Sequence, residues 1–501
     1  MKYWFMLFFF PLCISGSCMS FYLSPNGNDL NAGNRWFLPF RTMDKALSAL
    51  RPGDSLHIMN GTYRTREESN IHLKRGGLPG QWVVIRNYLN HRPVIYGGST
   101  AAVWLQGAEY VSLEGLTFVS DPDDPSATGI LIEGSASKPC SHIKVYDCFV
   151  RNFRGPAVRA DGYDYLTLGY NKFSRNAVDP DARAVLHFLN HTPTDLLPGY
   201  RNYLQANTME KNALQVSPGK LVCNPLILFE EPPRDRVLSG YQTLVHNNIL
   251  YDNGGGGMRF DRTAGVRVLN NTLYQNGQNE LCDHPELWFV HATECDASNN
   301  IFYTSAAKPA TRLTNSVSVR FSHNLYFNFS YHEPGLSDLI EQPQFQYIDP
   351  ERKEFNFRLK PGSPAVNAGE DEGIMDIDFE GNPRKMDLHV DLGALESSSR
   401  VLPPLKYEKA LPQGRSMDAS WSSIFLQDQK RYTLWNLKEL PFSVRVYDSI
   451  GRLVYEDLSL DGETPAFEMD FSNYPPGFYF VIAANATARH TERVRLAAPK
   501  R

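Results

Sequence analysis

The chain has 501 residues, 42% hydrophobic and 21% charged, which is enough to bury a large core and excludes a wholly disordered protein. Fifty Lys and Arg against 55 Asp and Glu give a net charge of −5, so no basic excess points to nucleic acid and no run of like charge marks a tail. Aromatic residues make up 12%, which favours a turn-rich β protein, and the length suits roughly two to four domains or one elongated solenoid.

The first segment, MKYWFMLFFFPLCISGSCMS, has Lys2, an apolar stretch and then small residues. It reads as a secretory signal peptide over residues 1–20, cleaved after Ser17 or a few residues later. Cys18 also raises lipid attachment, although Ile14 to Ser17 fit a lipobox poorly. No later run of ~18 apolar residues predicts a transmembrane helix. In an oxidising compartment Cys140 with Cys148 and Cys282 with Cys295 could pair, leaving Cys223 over; buried or free thiols are the equal alternative. No CxxC spacing points to zinc.

Next, FYLS predicts a short strand and PNGNDLNAGN a turn. Thr42 can cap a short amphipathic helix, MDKALSAL, which Pro52-Gly53 ends. SLHIMNGTY and QWVVIRNY alternate like strands. One device then recurs: KVYDCFVRN, TLGYNKFSRN, YLQANTMEKN, LVHNNILYDN, RVLNNTLYQN, ASNNIFYT and RFSHNLYFN. Aligned on Asp147, Asn171, Asn207, Asn248, Asn271, Asn300 and Asn324, the copies are 24, 36, 41, 23, 29 and 24 residues apart. The shortest interval suits one coil of a parallel β-helix, three short strands and three turns, and the longer ones add a loop. Stacked coils bring equivalent residues ~4.8 Å apart, so a repeated inward Asn can bond its copies above and below. These asparagines are expected to be structural. The helix near residues 42–50 is placed to cover the open end of the coil stack.

The repeats fade after about residue 330. The expected organisation is a right-handed parallel β-helix with a cap helix and a loop-rich tail over residues 21–396, a linker over 397–417, and an all-β sandwich over 418–501.

Three N-terminal segments, YLSPNGNDLNAG, PGDSLHIMNGTY and VVIRNYLNHRPVIYGG, resemble the first coils of secreted β-helix proteins of the pectate-lyase-like superfamily. GYQTLVHNNILYDNGGGGMRFDRTAGVRVLNNTLYQN is similar to their middle coils. SPAVNAG…DIDFEGNPRKMDLHVDLGALE resembles the segment that follows the β-helix in many bacterial surface proteins. VRVYDSIGRLVYE…YPPGFYFVIA resembles the C-terminal sorting domain of the Por-type secretion system of Bacteroidetes. The resemblance implies a monomer that is secreted or displayed on the cell surface, outer-membrane secretion machinery as a partner, and a polysaccharide as ligand. No nucleic-acid partner is expected.

Calcium-dependent lyases of this superfamily carry an Asp cluster where this chain has Asn253 followed by Gly254 to Gly257. Calcium therefore stays a possibility rather than an expectation, with Asp121, Asp123 and Asp124 as the oxygen-rich alternative. The strands GILIE, AVRAD, VLHFL, LILFE, GMRFD and LWFVH place alternate residues outward. The candidate catalytic residues on that column are Arg159, Asp161, His187, Glu230, Arg259 and Asp261, with Leu131, Glu133, and Trp288 or His291 beside them. Glu231, Trp288 and Tyr163 are candidate substrate contacts, with Tyr165 and Tyr251 as further stacking surfaces, and Lys172, Lys211 and Arg183 lie near the loops. Two chemistries fit. Glu230, Asp261 and Asp161 could serve a glycoside hydrolase, whose carboxylate separation sets the stereochemistry. β-Elimination from a uronic acid needs a base and a cation on the sugar carboxylate, for which Arg159, Arg259 or His187 could serve. A non-catalytic glycan-binding or adhesin-like protein is the third reading.

Overall fold

The computed structural model describes residues 18–65, 67–123, 128–213, 223–232, 240, 242–279, 282–386, 388–397 and the strands of 421–496. The signal-peptide segment up to residue 17, the linker from 398 to 417, and Asp124 lie outside the described residues.

Three parallel sheets of 11, 9 and 11 strands run side by side, and each complete coil contributes one strand to each sheet. This is the right-handed parallel β-helix expected. The short helix Met43–Ala49 begins at Thr42, whose side chain accepts from the Lys45 N–H. Its apolar face puts Met43 and Ala46 into the same core as Leu23, Phe40, Leu56 and Ile71, which closes the N-terminal end. The antiparallel pair Phe345–Asp349 and Glu354–Leu359 packs Phe345, Phe357 and Leu359 against Ile249, Tyr274 and Ile301. The C-terminal part has a three-stranded and a four-stranded antiparallel sheet.

The inward asparagines form a continuous ladder. Asn171, Asn207, Asn248, Asn271 and Asn300 each donate from Nδ2 to the carboxamide of the next Asn, the last being Asn324, at 2.9–3.0 Å. Asp338 ends the row by accepting from the Asn324 backbone N–H at 2.8 Å. Asp147 is not a member. Its φ is +53°, and the residue at the ladder position is Cys148, whose N–H donates to Asn171 Oδ1 at 3.0 Å. Asp147 corresponds instead to the left-handed residue that precedes each inward Asn. A second ladder, Asn176, Asn212, Asn253 and Asn276, runs parallel to the first. It ends at Glu286, which accepts from both the backbone N–H and Nδ2 of Asn276 at 2.9 and 2.8 Å.

Asn271 holds five contacts on both adjoining coils, so Asn271→Ala should leave several buried groups unpaired. Each such group costs about 1–3 kcal/mol. Urea denaturation should show a loss of at least that size; unchanged stability would overturn a structural role for the ladder.

The doubled Asn pairs have a second use. Asn247, Asn270 and Asn299, the outer members with positive φ, bind the segment after the β-helix through Ile377 O, Asp391 O and Glu370 O. Arg384, buried with Glu396 at 3.5 Å, donates to Asn247 Oδ1 at 2.6 Å. The SPAVNAG-to-DLGALE segment is thereby fastened along the outside of the coils.

The cysteines pair differently from expectation. The disulfide joins Cys223 to Cys282, with Cα atoms 5.0 Å apart, while Cys140, Cys148 and Cys295 are buried free thiols. Cys140 and Cys148 are separated by the extended strand Cys140–Tyr146. At ~3.3 Å per residue that is on the order of 20 Å, well beyond disulfide reach. Cys282 and Cys295 likewise flank the strand Leu287–Val290. Cys223 and Cys282 lie just before Pro225–Glu230 and Leu287–Val290, one strand apart in the same sheet, so the bridge ties two loop ends across Gly256–Asp261.

Candidate functional site

The nine-stranded sheet carries the predicted column, and its register resolves that column into two rows. In the first, Leu131, Arg159, His187, Leu228, Arg259, Trp288 and Arg312 occupy equivalent positions on successive coils. In the second stand Glu133, Asp161, Leu189, Glu230, Asp261 and Val290. Between them the strands point Phe188, Phe229, Phe260 and Phe289 inward, stacked with centroids 4.4, 5.3 and 5.3 Å apart. This packed aromatic row is a rigid backing for the outer face.

Glu230 and Asp261 are direct neighbours on adjacent coils, and Asp161 is two coils from Glu230 with Leu189 between. Each carboxylate accepts from a guanidinium. Arg159 reaches Asp161 at 2.9 Å and Arg259 reaches Asp261 at 2.7 Å. Arg183 grips both oxygens of Glu230 at 2.8 and 2.9 Å. Arg262 lies between the two neighbours, 3.1 Å from Asp261 and 3.8 Å from Glu230. Asn190 adds a 2.7 Å bond to Asp161. None of the three carboxylates stands in the apolar, cation-free setting that a general-acid carboxyl requires.

His187 is nearly buried, and its Nε2 lies 3.3 Å from Glu230 Oε2. A carboxylate only accepts, so the proton of this bond sits on Nε2 and the Nδ1 lone pair is left basic. Burial pushes the His187 pKa below the ordinary histidine value, against the opposite pull of Glu230; Arg183 and Arg159 act in the same direction as burial. Burial thus favours the neutral imidazole.

The substrate-contact candidates separate. Tyr163 is 1% exposed and packs on Phe188 and His191, so it lines the interior and cannot offer a stacking surface. Glu231 is also buried; its carboxylate accepts from the His191 backbone N–H at 3.2 and 3.0 Å and so shapes the 190–201 loop. Trp288 keeps its place on the face, but Arg259 and Arg312 cover its ring at 4.8 and 5.0 Å. His291 lies beyond the strand, with Nδ1 3.9 Å from Asp261. Lys172 and Tyr251 belong to another sheet, where Lys172 pairs with Glu210 at 2.8 Å and Tyr251 lies under Phe355 and Phe357. Lys211 follows the strand Thr208–Glu210 of that same sheet. Tyr165 is half-buried, with its ring between His142 and Arg201.

Arg183, which the sequence places only near the loops, reaches Glu230 on the face itself. Arg262 and Arg312 were missed. Arg262 follows Asp261 beyond the strand Gly256–Asp261, and Arg312 falls on a strand, Thr311–Thr314, outside the aligned set. The register places Arg312 on the face, and the ion pairs with Asp261 and Glu230 place Arg262 there.

Of the candidate calcium positions, those among the described residues are already engaged within the protein, and Asp124 lies outside them. Asn253 spends its carboxamide on Met209 O, Tyr251 O and Asn276, and Gly254 to Gly257 provide no side chain. Asp121 accepts from Arg64 at 2.6 Å. Among the described residues no group of three or more His, Cys, Asp or Glu is arranged to hold a metal ion.

Residues 90–279 match the family model described as right handed beta helix region, and residues 431–496 match that of the secretion system C-terminal sorting domain. The chain is similar to the uncharacterized protein YwoF of Bacillus subtilis (strain 168), 30% identical over 152 residues. That match covers 28% of this chain, and the chain spans 31% of the length of that relative. Among solved structures, pectate lyase Pel9A is 16% identical with a TM-score of 0.48, covering 76% of this chain and 97% of that one. A glycoside hydrolase is 9% identical with a TM-score of 0.44, covering 64% and 96%.

Proposed function

For a right-handed parallel β-helix with a C-terminal sorting domain, and so a secreted or cell-surface protein, we propose cleavage of a uronic-acid polysaccharide by β-elimination on the outer face of the nine-stranded sheet. The observation that carries this reading is the placement of His187, whose Nε2 lies 3.3 Å from Glu230, with the Arg159 guanidinium on the adjacent coil and Arg183 held beside it through Glu230. His187 Nδ1 would take the proton from C5 of the uronate. The electron pair forms the C4–C5 double bond, the C4–oxygen bond breaks, and the leaving oxygen is protonated from water. Charge builds on the sugar carboxylate during proton removal, and a guanidinium held in advance stabilises it. The hydrolase reading is weaker, because Arg262 fills the space between Glu230 and Asp261 that a sugar and a water would share.

The test is incubation of the full chain with a panel of uronate-containing and neutral polysaccharides, following reducing ends and the ultraviolet absorbance of unsaturated uronate. Both signals rising on an acidic polymer is the expected result. Reducing ends without absorbance would overturn elimination and move the chemistry to Glu230, Asp261 and Asp161. Binding with neither signal would leave a glycan-binding protein.

A further inference from the structure

Arg259, Trp288 and Arg312 occupy one register position on three successive coils. The two guanidinia lie 4.8 and 5.0 Å from the same indole centroid, approaching it from the coils on either side. An indole covered this way has no face left for a sugar. It attracts each cation through its ring quadrupole and limits the rotamers that two long side chains would otherwise sample. The ring is itself fixed, since Trp288 Nε1 donates to Thr314 at 3.0 Å.

Neither guanidinium is fully used. Arg259 spends one nitrogen on Asp261, while its buried Nε has no hydrogen-bond partner among the described residues. Among the described residues Arg312 pairs with Asp283 alone, at 3.7 Å, and that carboxylate is itself exposed. Two coils separate the arginines, about 9.6 Å of backbone spacing. In a (1→4)-linked chain held as a two-fold ribbon, each sugar advances by about one strand spacing and its carboxylate turns to the opposite side in the next sugar. Carboxylates of alternate residues therefore recur at about the separation of the two arginines.

We propose that Trp288 is a positioning residue whose two faces hold Arg259 and Arg312 as a pair of carboxylate contacts, selecting acidic chains that run along the β-helix axis and present carboxylates on alternate sugars. This inference rests on the acidic-polysaccharide reading above and adds to it the polymer direction and the spacing.

The full chain is titrated calorimetrically with di- and tetragalacturonate, and with xylotetraose as the neutral probe. Trp288→Leu and Arg312→Ala should each weaken tetragalacturonate binding about tenfold or more, with little effect on digalacturonate, which presents no carboxylates on alternate sugars. Trp288→Phe should recover most of the loss, because a benzene ring still faces both cations. In turnover, Trp288→Leu should raise KM and leave kcat near wild type. Thermal melts verify that the variants are folded. Wild-type tetragalacturonate affinity in Trp288→Leu and Arg312→Ala would overturn the clamp while leaving the acidic-glycan reading intact. A wild-type chain that binds no acidic oligosaccharide would overturn both.

Discussion

Replacing His187 by glutamine is expected to lower uronate depolymerisation by about 10²–10⁴-fold, the range for losing a general base. Glutamine keeps the volume and can still donate to Glu230, so the neighbouring Arg183 contact should survive and the fold with it. What it lacks is the basic lone pair. The same residue sets a pH dependence. Burial lowers the His187 pKa, so the imidazole is unprotonated above that value and loses its lone pair as the pH falls through it. The acid limb of the wild-type rate should therefore lie below the ordinary histidine range. The stability sign is the same. A histidine buried neutral contributes stability above its unfolded pKa, and that contribution is lost as the pH falls towards the folded value. Melting curves at each pH separate lost chemistry from lost fold. His187→Gln turning over at the wild-type rate would remove His187 from the reaction.

The solenoid was legible because stacking makes the same demand at every coil. An inward carboxamide has two hydrogen-bonding ends and a neighbour on each side, so Asn recurs at Asn171, Asn207, Asn248, Asn271, Asn300 and Asn324. Polarity alone misplaced the first copy. Asp147 resembles Asn in a repeat alignment, yet the inward position there belongs to Cys148. The second ladder was present in the same strings, five residues downstream each time, at Asn176, Asn212, Asn253 and Asn276.

The outward rows were legible only in part. Period-two alternation assigns residues to faces, and it placed Arg159, Asp161, His187, Glu230, Arg259 and Asp261 on one sheet. It does not say which guanidinium reaches which carboxylate. Arg183 comes from the turn before its strand and Arg262 follows the end of another, so both are invisible to strand alternation. Tyr163 was misread for a related reason. It begins the strand Tyr163–Gly169 of a neighbouring sheet just after Gly162, and the bend there turns its ring inward.

Gly257→Asp, which would place a carboxylate in the run Gly254 to Gly257, is expected to destabilise the coil rather than create a calcium site. A Cβ at Gly257 would lie 2.0 Å from the carbonyl oxygen of Glu286. At Gly254, Gly255 and Gly256 it would meet Ala213 O at 2.3 Å, Asn224 O at 2.0 Å and the His284 ring at 2.2 Å. These glycines are needed for space; none has positive φ. Relief would require moving the strand that Gly257 and Met258 join through Pro285 O and Glu286 O. The new charge would also approach Glu286, whose fully buried carboxyl is already pushed up to about 7 by desolvation. Overpacking of this kind costs about 1–3 kcal/mol, and an added buried charge carries the total on the order of 3–5 kcal/mol. Urea denaturation of Gly257→Ala gives the steric part alone, and the difference from Gly257→Asp gives the charge. A Gly257→Asp chain with wild-type stability and a melting temperature raised by calcium would show that the site can hold the ion after all. The expected result, a destabilised chain indifferent to calcium, would mean that the glycine run is what lets these coils pack.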